Sequence, residues 1–260
     1  MQELLQEEVR LRAPLKSKDQ TKVTAPDLTI IIPVYNEEEN LARVEKELCA
    51  FLNNCKIKSS VLFVNDGSDD NSQQMIETIC SNNFGFSFIC FEHNHGLSAA
   101  IKAGFDHATT SLVGYMDADL QTTPADFELL LNELEDCDLV TGVRAQRKDS
   151  FVKRMSSKIA NKIRRTFTHD GMDDTGCPLK IIRTEAAKKI PMFNGLHRFL
   201  PAMILLQGGK IKQLPVKHFP RIAGKAKFGL ADRLIGPLAD CFAYLWMKKK
   251  YISYDVAKKG

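Results

Sequence analysis

The sequence predicts an α/β protein with a doubly wound, mainly parallel sheet. Five apolar segments, rich in β-branched residues, alternate with helical segments between residues 28 and 142. Uninterrupted apolar runs of this kind are typical of parallel strands that helices cover on both faces. Several of them end abruptly in polar loops, and right-handed crossovers bring such loops to one edge of a sheet. We therefore expect one cleft formed by residues 35–37, 66–68 and 117–121.

The elements of the first half follow from hydrophobic periodicity. Apolar side chains recur at helical spacing after residue 37, which predicts a first helix over residues 38–51. Further helices are expected over residues 72–80, 97–108 and 124–135, the last of them opened by Pro124. The strands are expected over residues 28–34, 61–65, 86–92, 112–116 and 139–142.

The second half is more basic and less regular. We expect helices over residues 150–168, 184–189, 197–206 and 230–247, and strands over residues 179–182 and 211–219. The last helix is apolar on one side, although Pro237 argues against one continuous helix. We divide the chain into an N-terminal extension (1–26), a main domain (27–229) and a C-terminal amphipathic helix with a basic tail (230–260). Within the main domain, we distinguish a first half (27–121) and a second half (122–229).

Composition describes an ordinary globular chain of 260 residues with a formal charge of +4. Its basic residues gather in the second half, which suggests an anionic partner there. Seven cysteines without metal-type pairing indicate free thiols in a reducing compartment. No export signal and no run of about 18 apolar residues is recognisable, so we expect a cytoplasmic protein.

Two aspartates stand out at the end of the fourth strand. Asp117 and Asp119 follow the apolar run of residues 112–116, and in open α/β sheets ligands bind beyond the carboxyl ends of the strands. Two carboxylates so close together need a cation or a hydrogen-bond network to offset their charge. Oxygen ligands suit Mg²⁺ or Mn²⁺, which substrate phosphates commonly help to coordinate. A solvated loop with a helix cap is the alternative for this pair alone.

Four motifs in order resemble the inverting family 2 glycosyltransferases: residues 31–37 (IIPVYNE), 64–68 (VNDGS), 94–96 (NHG) and 117–121 (DADLQ). The sequence is most similar to the polyprenyl-phosphate branch of that family. Residues 141–144 (TGVR), 174–180 (DTGCPLK) and 221–229 (RIAGKAKFG) carry this further likeness. The resemblance covers about residues 27–250 and implies a GT-A fold that moves a hexose from a GDP- or UDP-sugar to a polyprenyl phosphate. It implies that residues 27–229 form the catalytic domain, with a nucleotide-sugar half (27–121) and an acceptor half (122–229).

The resemblance assigns the nucleoside to the first two strand-end loops. It implies that Pro33, Tyr35 and Glu37 frame the nucleoside, with Glu37 accepting hydrogen bonds from the ribose. Asp66 is expected to accept a hydrogen bond from the base. The alternatives are a carboxylate stabilising a helix N-terminus for Glu37 and an Asx turn before Gly67 for Asp66.

The resemblance also implies a metal site and a basic lid. Asp119 and Gln121 would hold Mg²⁺ or Mn²⁺ on the diphosphate, with Asp117 in support. Three cations would close over the same phosphates: Arg221, Lys225 and Lys227. The family usually has serine and tyrosine where this chain has Ala226 and Phe228, so hydroxyl contacts there are lost.

The acceptor phosphate is assigned to Arg144, and less firmly to Arg147, because the planar guanidinium pairs with phosphate oxygens. Asp174 stands where related enzymes have an acidic residue beside the acceptor. It is either a general base, a group that orients its neighbours, or a structural cap.

Two alternative functions remain open beside transfer to a polyprenyl phosphate. One is transfer to a hydroxyl acceptor in polysaccharide or glycolipid synthesis, and the other is non-catalytic binding of a nucleotide-sugar. The C-terminal helix is either an interfacial helix at the inner face of a membrane or an ordinary packed helix. Nucleic-acid binding is not expected, because no dense basic and aromatic surface is predicted.

Overall fold

The computed structural model describes residues 27–144, 164–223, 230–252 and 258. In this part of the chain seven strands form one sheet: β1 (Leu28–Val34), β2 (Ser59–Asn65), β3 (Phe86–Cys90), β4 (Leu112–Tyr115), β5 (Leu139–Arg144), β6 (Lys180–Arg183) and β7 (Ile211–Val216). Their order across the sheet is β3-β2-β1-β4-β6-β5-β7. The fold class predicted from the sequence is confirmed.

The helices cover both faces of this sheet. They are α1 (Glu38–Asn54), α2 (Ser72–Asn82), α3 (Leu97–His107), α4 (Phe127–Leu131), α5 (residues 164–168), α6 (Thr184–Lys188), α7 (Leu200–Leu206) and α8 (Leu230–Lys250). Buried side chains of α1, α2 and α4 form the core on one face. Those of α3, α6, α7 and α8 form the core on the other. This two-sided cover explains why the strands are apolar on both faces.

The arrangement of β6 departs from the simple parallel alternation of the first half. β6 lies between β4 and β5 and is antiparallel to both, whereas the remaining strand pairs in the described residues are parallel. Tyr115 of β4 is the register partner of Lys180 of β6. Directly opposed residues project from the same face of a sheet, so this register places the two side chains together.

Three helix predictions need correction. The helix expected over residues 197–206 begins as a 3₁₀ turn (Leu196–Phe199), and its α-helical part is α7. The helix expected over residues 124–135 begins as a 3₁₀ turn (Pro124–Asp126) and its α-helical part ends at Leu131, because the following amides bond three residues back. The C-terminal helix runs without a break past Pro237 to Lys250. Proline removes one backbone donor from a helix interior, and here the remaining turns and the packed face of α8 sustain the helix.

α8 combines a packed face with an exposed one. Cys241 and Tyr244 are buried, and the Tyr244 ring stacks on Phe199 with centroids 5.6 Å apart. Phe242 and Trp246 are 59% and 68% exposed, and three lysines follow at residues 248–250. One side of α8 is therefore packed and the other exposed, and contact of the exposed side with a membrane stays a prediction. Among the described helices, none is long and apolar enough to cross a membrane.

Candidate active site

The polar loops that follow β1, β2 and β4 meet at one edge of the sheet, as the sequence predicts. They enclose a cavity of about 330 Å³ together with the N-terminus of α3 and one residue from the second half, Arg221. Its lining consists of Pro33, Val34, Tyr35, Glu37, Asp66, Asn94, Gly96, Leu97, Ala100, Asp117, Ala118, Asp119 and Arg221.

The loop after β1 is held by the loop after β2. The backbone amide of Asn36 donates to the Ser68 hydroxyl at 2.9 Å, and the Asn36 side chain accepts from the amide of Asp69 at 2.8 Å. Asn36 has a φ of 51°, a conformation that asparagine adopts more readily than most residues. The Glu37 carboxylate accepts from the Asn40 side chain at 2.6 Å at the start of α1. Glu37 is therefore oriented within the cavity wall, and its contact with a ribose stays a prediction.

Asp66 organises the loop that leads into α3. Its carboxylate accepts from the amides of His95 (2.7 Å) and Gly96 (2.8 Å) and from the Asn94 side chain (3.0 Å). Gly67 makes this approach possible, because a Cβ there would lie 2.5 Å from the carbonyl carbon of His93. Asp66 thus has a loop-organising role in addition to its place in the cavity wall. A contact with the base stays a prediction.

Asp117 is buried between other ionisable groups. The Tyr115 hydroxyl donates to its carboxylate at 2.7 Å. Burial, and then the charge of Asp119, raise the pKa of Asp117 to about 6, while Tyr115, Lys180 and Arg144 act in the opposite direction. The same surroundings raise the pKa of Tyr115 well above its ordinary value, chiefly through burial. The lining of the cavity is itself acidic, because it includes the carboxylates of Glu37, Asp66, Asp117 and Asp119 and one cation, Arg221.

Asp119 is fixed by three contacts at the cavity wall. Its carboxylate accepts from Arg221 at 2.7 Å and from the Gln121 amide at 3.1 Å, and its carbonyl accepts from Arg43 of α1 at 3.0 Å. Leu120, the next residue, has a φ of 51°. The contacts on either side stabilise this uncommon backbone conformation.

The predicted metal ligands are only partly assembled. Asp117 and Asp119 both line the cavity, whereas Gln121 lies outside its lining and directs its side-chain amide to the Phe219 carbonyl at 3.5 Å. No group of three or more His, Cys, Asp or Glu side chains is placed to hold a metal ion within the described residues. The two carboxylates nevertheless fit a divalent cation, because they are hard oxygen donors in a site with surplus negative charge.

Arg144 and Asp174, both assigned to the acceptor, form a bidentate ion pair. The Arg144 Nε donates to Asp174 Oδ2 at 2.7 Å and its Nη2 donates to Oδ1 at 2.8 Å. Their side chains are 15% and 8% exposed. Asp174 thus orients the guanidinium, one of its predicted roles. Arg147, Lys225 and Lys227 lie outside the described residues.

Lys180 has a place in the site to which the sequence motifs gave no role. Its ammonium is buried, donates to the carbonyls of Thr175 and Cys177, and lies 5.9 Å from the centroid of the Tyr115 ring. The sequence feature that could have indicated its role is the presence of a lysine within an apolar strand, between Leu179 and two isoleucines. Buried lysines are rare unless they are paired.

A second polar cluster supports the N-terminus of α3. Ser98 accepts from the Gly195 amide at 3.0 Å and shares a 2.8 Å hydrogen bond with His197 Nδ1. Burial, and then the charges of Arg198 and Lys180, lower the pKa of His197 to about 3. Because Ser98 Oγ already accepts from the Gly195 amide, its own hydrogen is available to donate to the neutral imidazole.

This pKa predicts a pH dependence of stability. The unfolded chain takes up a proton at His197 near pH 6.5, whereas the folded chain resists it. The contribution of neutral His197 to the free energy of unfolding is therefore complete above about pH 6.5, and it is lost as the pH falls towards 3. His197 is half-buried, so we expect a loss on the order of 1 kcal/mol between pH 7 and pH 5.

Denaturant unfolding of the wild type and of His197→Asn at these two pH values measures the effect. The variant should show a smaller fall in the free energy of unfolding between pH 7 and pH 5. Equal falls in both proteins would contradict the assignment of a suppressed protonation to His197.

Comparison with known proteins gives one family and one fold. The family described as "Glycosyl transferase family 2" matches residues 29–191. The dodecaprenyl-phosphate galacturonate synthase of Rhizobium johnstonii is 29% identical in an alignment of 218 residues that covers 80% of this chain and 64% of that protein. The chain thus spans about 64% of the length of this relative.

Solved structures of two glycosyltransferases have a similar fold. Glucosyl-3-phosphoglycerate synthase from Mycobacterium tuberculosis, in complex with UDP, matches with a TM-score of 0.64 at 15% identity over 86% of this chain and 80% of that one. A mannosyltransferase from Pyrobaculum calidifontis, in complex with GDP-Man and Mn²⁺, matches with a TM-score of 0.61 at 17% identity over 85% and 64%. The fold is GT-A, as expected.

Proposed function

Because this chain belongs to glycosyltransferase family 2, we propose that it transfers a hexose from a nucleotide-sugar to a polyprenyl phosphate with inversion at the anomeric carbon. The relative whose name includes a dodecaprenyl phosphate supports this acceptor class. The UDP and GDP-Man complexes of proteins with this fold support a nucleotide-sugar donor.

The observation that carries this proposal is the position of Arg144. Its positive charge favours the ionised form of Asp117 in the cavity, and its guanidinium is oriented by Asp174. A fixed guanidinium beside the donor carboxylates is suited to hold a phosphate monoester close to the sugar. We assign the guanidinium of Arg144 to the binding of that phosphate.

The proposed reaction is a direct displacement. An oxygen of the acceptor phosphate attacks C1 of the sugar, the bond from C1 to the β-phosphate oxygen breaks, and the nucleoside diphosphate leaves with that electron pair. A phosphate monoester has a second pKa near about 6 and is largely ionised at neutral pH, so no general base is required. Asp174, with both carboxylate oxygens bound to Arg144, serves as the group that orients the arginine.

The donor half of the site supports the leaving group. We assign a divalent cation, Mg²⁺ or Mn²⁺, to Asp117 and Asp119; when bound, it would neutralise charge on the departing diphosphate. Arg221 donates to Asp119, and we assign it to the same diphosphate. Pro33, Tyr35, Glu37 and Asp66 line the same cavity, and we assign them to the nucleoside.

Peripheral contact with a membrane is part of the proposal. A polyprenyl acceptor resides in a bilayer, and the exposed Phe242 and Trp246 of α8 lie close in sequence to Lys248–Lys250. Aromatic side chains beside lysines favour the interface of an anionic membrane. We infer that this face of α8 brings the acceptor half of the cleft to the cytoplasmic side of the bilayer.

Acceptor discrimination tests the proposed function. Labelled sugar from a panel of UDP- and GDP-hexoses and hexuronates is offered with a short polyprenyl phosphate, the matching polyprenol, or a soluble oligosaccharide. We expect transfer to the phosphate alone. Transfer to the polyprenol or the oligosaccharide would instead identify a hydroxyl acceptor and restore a general-base role to Asp174.

A further inference from the structure

Lys180 is a buried cation whose surroundings connect the two halves of the cleft. Its side chain is 1% exposed, and Leu179 and Ile181 on either side of it are fully buried. An ammonium group removed from water requires hydrogen-bond and charge partners. In the described structure those partners come from two directions, the loop at residues 174–177 and the end of β4.

The first direction is the loop that carries Asp174. The Lys180 ammonium donates to the carbonyl of Thr175 at 3.3 Å and to the carbonyl of Cys177. Between these residues, Gly176 lies so close to Arg144 that a Cβ would be 3.1 Å from its Nη2. The loop that Lys180 holds is therefore also the surface against which the Arg144 guanidinium rests.

The second direction is the donor site. Tyr115 is the register partner of Lys180, its ring lies 5.9 Å from the ammonium, and its hydroxyl donates to Asp117. The carboxylates of Asp174 and Asp117 both favour the charged form of Lys180, against the larger effect of burial, which lowers its pKa. One ammonium thus interacts with the acidic residues of both halves.

We propose that Lys180 is a positioning residue that fixes the 174–177 loop, and through it Arg144, at a set place relative to Asp117. This inference rests on the proposed function, because it assigns Arg144 to the acceptor phosphate. Lys180 itself is too deeply buried to touch the substrate. It acts on the distance and angle between the acceptor phosphate and the donor sugar.

Lys180→Met tests the role, because methionine keeps much of the side-chain length and removes the charge. We expect the KM for the polyprenyl phosphate to rise roughly 10- to 100-fold. This is the range found when a residue that orients a metal-ligating side chain is replaced. The affinity for UDP or GDP, measured by calorimetry, should stay within about twofold of the wild type, since the contacts to the nucleoside loops are unchanged. Lys188→Met, at an exposed position of α6, is the matched control and should leave both values unchanged.

A double-mutant cycle distinguishes positioning from a general loss of structure. If Lys180 acts through Arg144, then Lys180→Met should raise the acceptor KM little further in an Arg144→Lys background. Fully additive effects, or an equal loss of nucleotide affinity and acceptor affinity, would overturn the proposal. So would a folded Lys180→Met variant with a wild-type acceptor KM.

Gly176→Ala provides a second variant that leaves the buried charge in place. Its new methyl group presses on Arg144 Nη2, so the acceptor KM should rise while nucleotide affinity is retained. If Lys180→Met does not fold, an unchanged acceptor KM in Gly176→Ala overturns the inference. The wild type is assayed first: no transfer to a polyprenyl phosphate contradicts the proposed function, whereas wild-type transfer with unaffected variants contradicts only the role of Lys180.

Discussion

Asp119→Asn is expected to lower kcat by about 10³-fold while the protein remains folded. The substitution keeps the shape of the side chain and an oxygen for the Gln121 amide, but it removes the charge that pairs with Arg221 and that a divalent cation requires. Stabilisation of a leaving diphosphate by a cation is worth several kcal/mol, and each 1.36 kcal/mol corresponds to about tenfold in rate. Initial rates with Mn²⁺ and Mg²⁺ measure the fall in kcat, and thermal unfolding shows whether the variant remains folded.

Asp136→Asn is the control for this result. Asp136 is exposed and lies outside the lining of the cavity, so the same change of charge there should leave the rate unaltered. A folded Asp119→Asn protein that turns over at a near-normal rate with either metal would show that the metal assignment is wrong.

Arg144→Lys is expected to raise the KM for the acceptor phosphate by about 10- to 100-fold. Lysine retains the positive charge beside Asp174, so no buried carboxylate is left without a cation, but it lacks the planar fork. Losing one charge-assisted hydrogen bond costs about 1.5–3 kcal/mol, which corresponds to that range. Steady-state kinetics with varied polyprenyl phosphate, and calorimetry with the nucleoside diphosphate, separate the two substrates.

Arg165→Lys is the matched control, because Arg165 forms an exposed ion pair with Asp173 near the same loop. It should leave the acceptor KM within about twofold, as surface ion pairs contribute little. An Arg144→Lys variant that binds the acceptor normally, or that loses nucleotide affinity instead, would remove Arg144 from the acceptor site.

The donor side of the cleft was predictable from the sequence because the geometry of a parallel sheet determines it. Once residues 28–34, 61–65 and 112–116 are identified as strands, the loops after them must lie at the same edge. Tyr35, Glu37, Asp66, Asp117 and Asp119 do line one cavity. Hydrophobic patterns and the right-handed crossover rule are therefore sufficient to predict which residues of that half lie together.

The acceptor side depends on pairings that no local pattern encodes. The insertion of β6 antiparallel between β4 and β5 follows from long-range packing, and it is this insertion that brings Lys180 beside Tyr115. The ion pair between Arg144 and Asp174 joins residues 30 apart, and the motifs gave each residue a role without predicting the contact. The side chain of Gln121, expected among the metal ligands, lies instead towards Phe219 because that segment packs on the 119–121 turn.

The most direct test of the central claim is the identity of the product. The protein is incubated with a short polyprenyl phosphate, a divalent metal and the nucleotide-sugar that gives labelled lipid, and the extracted product is examined by ³¹P and ¹H NMR. We predict a sugar joined through C1 to the lipid phosphate, with the anomeric configuration inverted relative to the donor. A sugar attached to a hydroxyl oxygen, a retained anomeric configuration, or release of free sugar without a lipid product would contradict the proposed transfer.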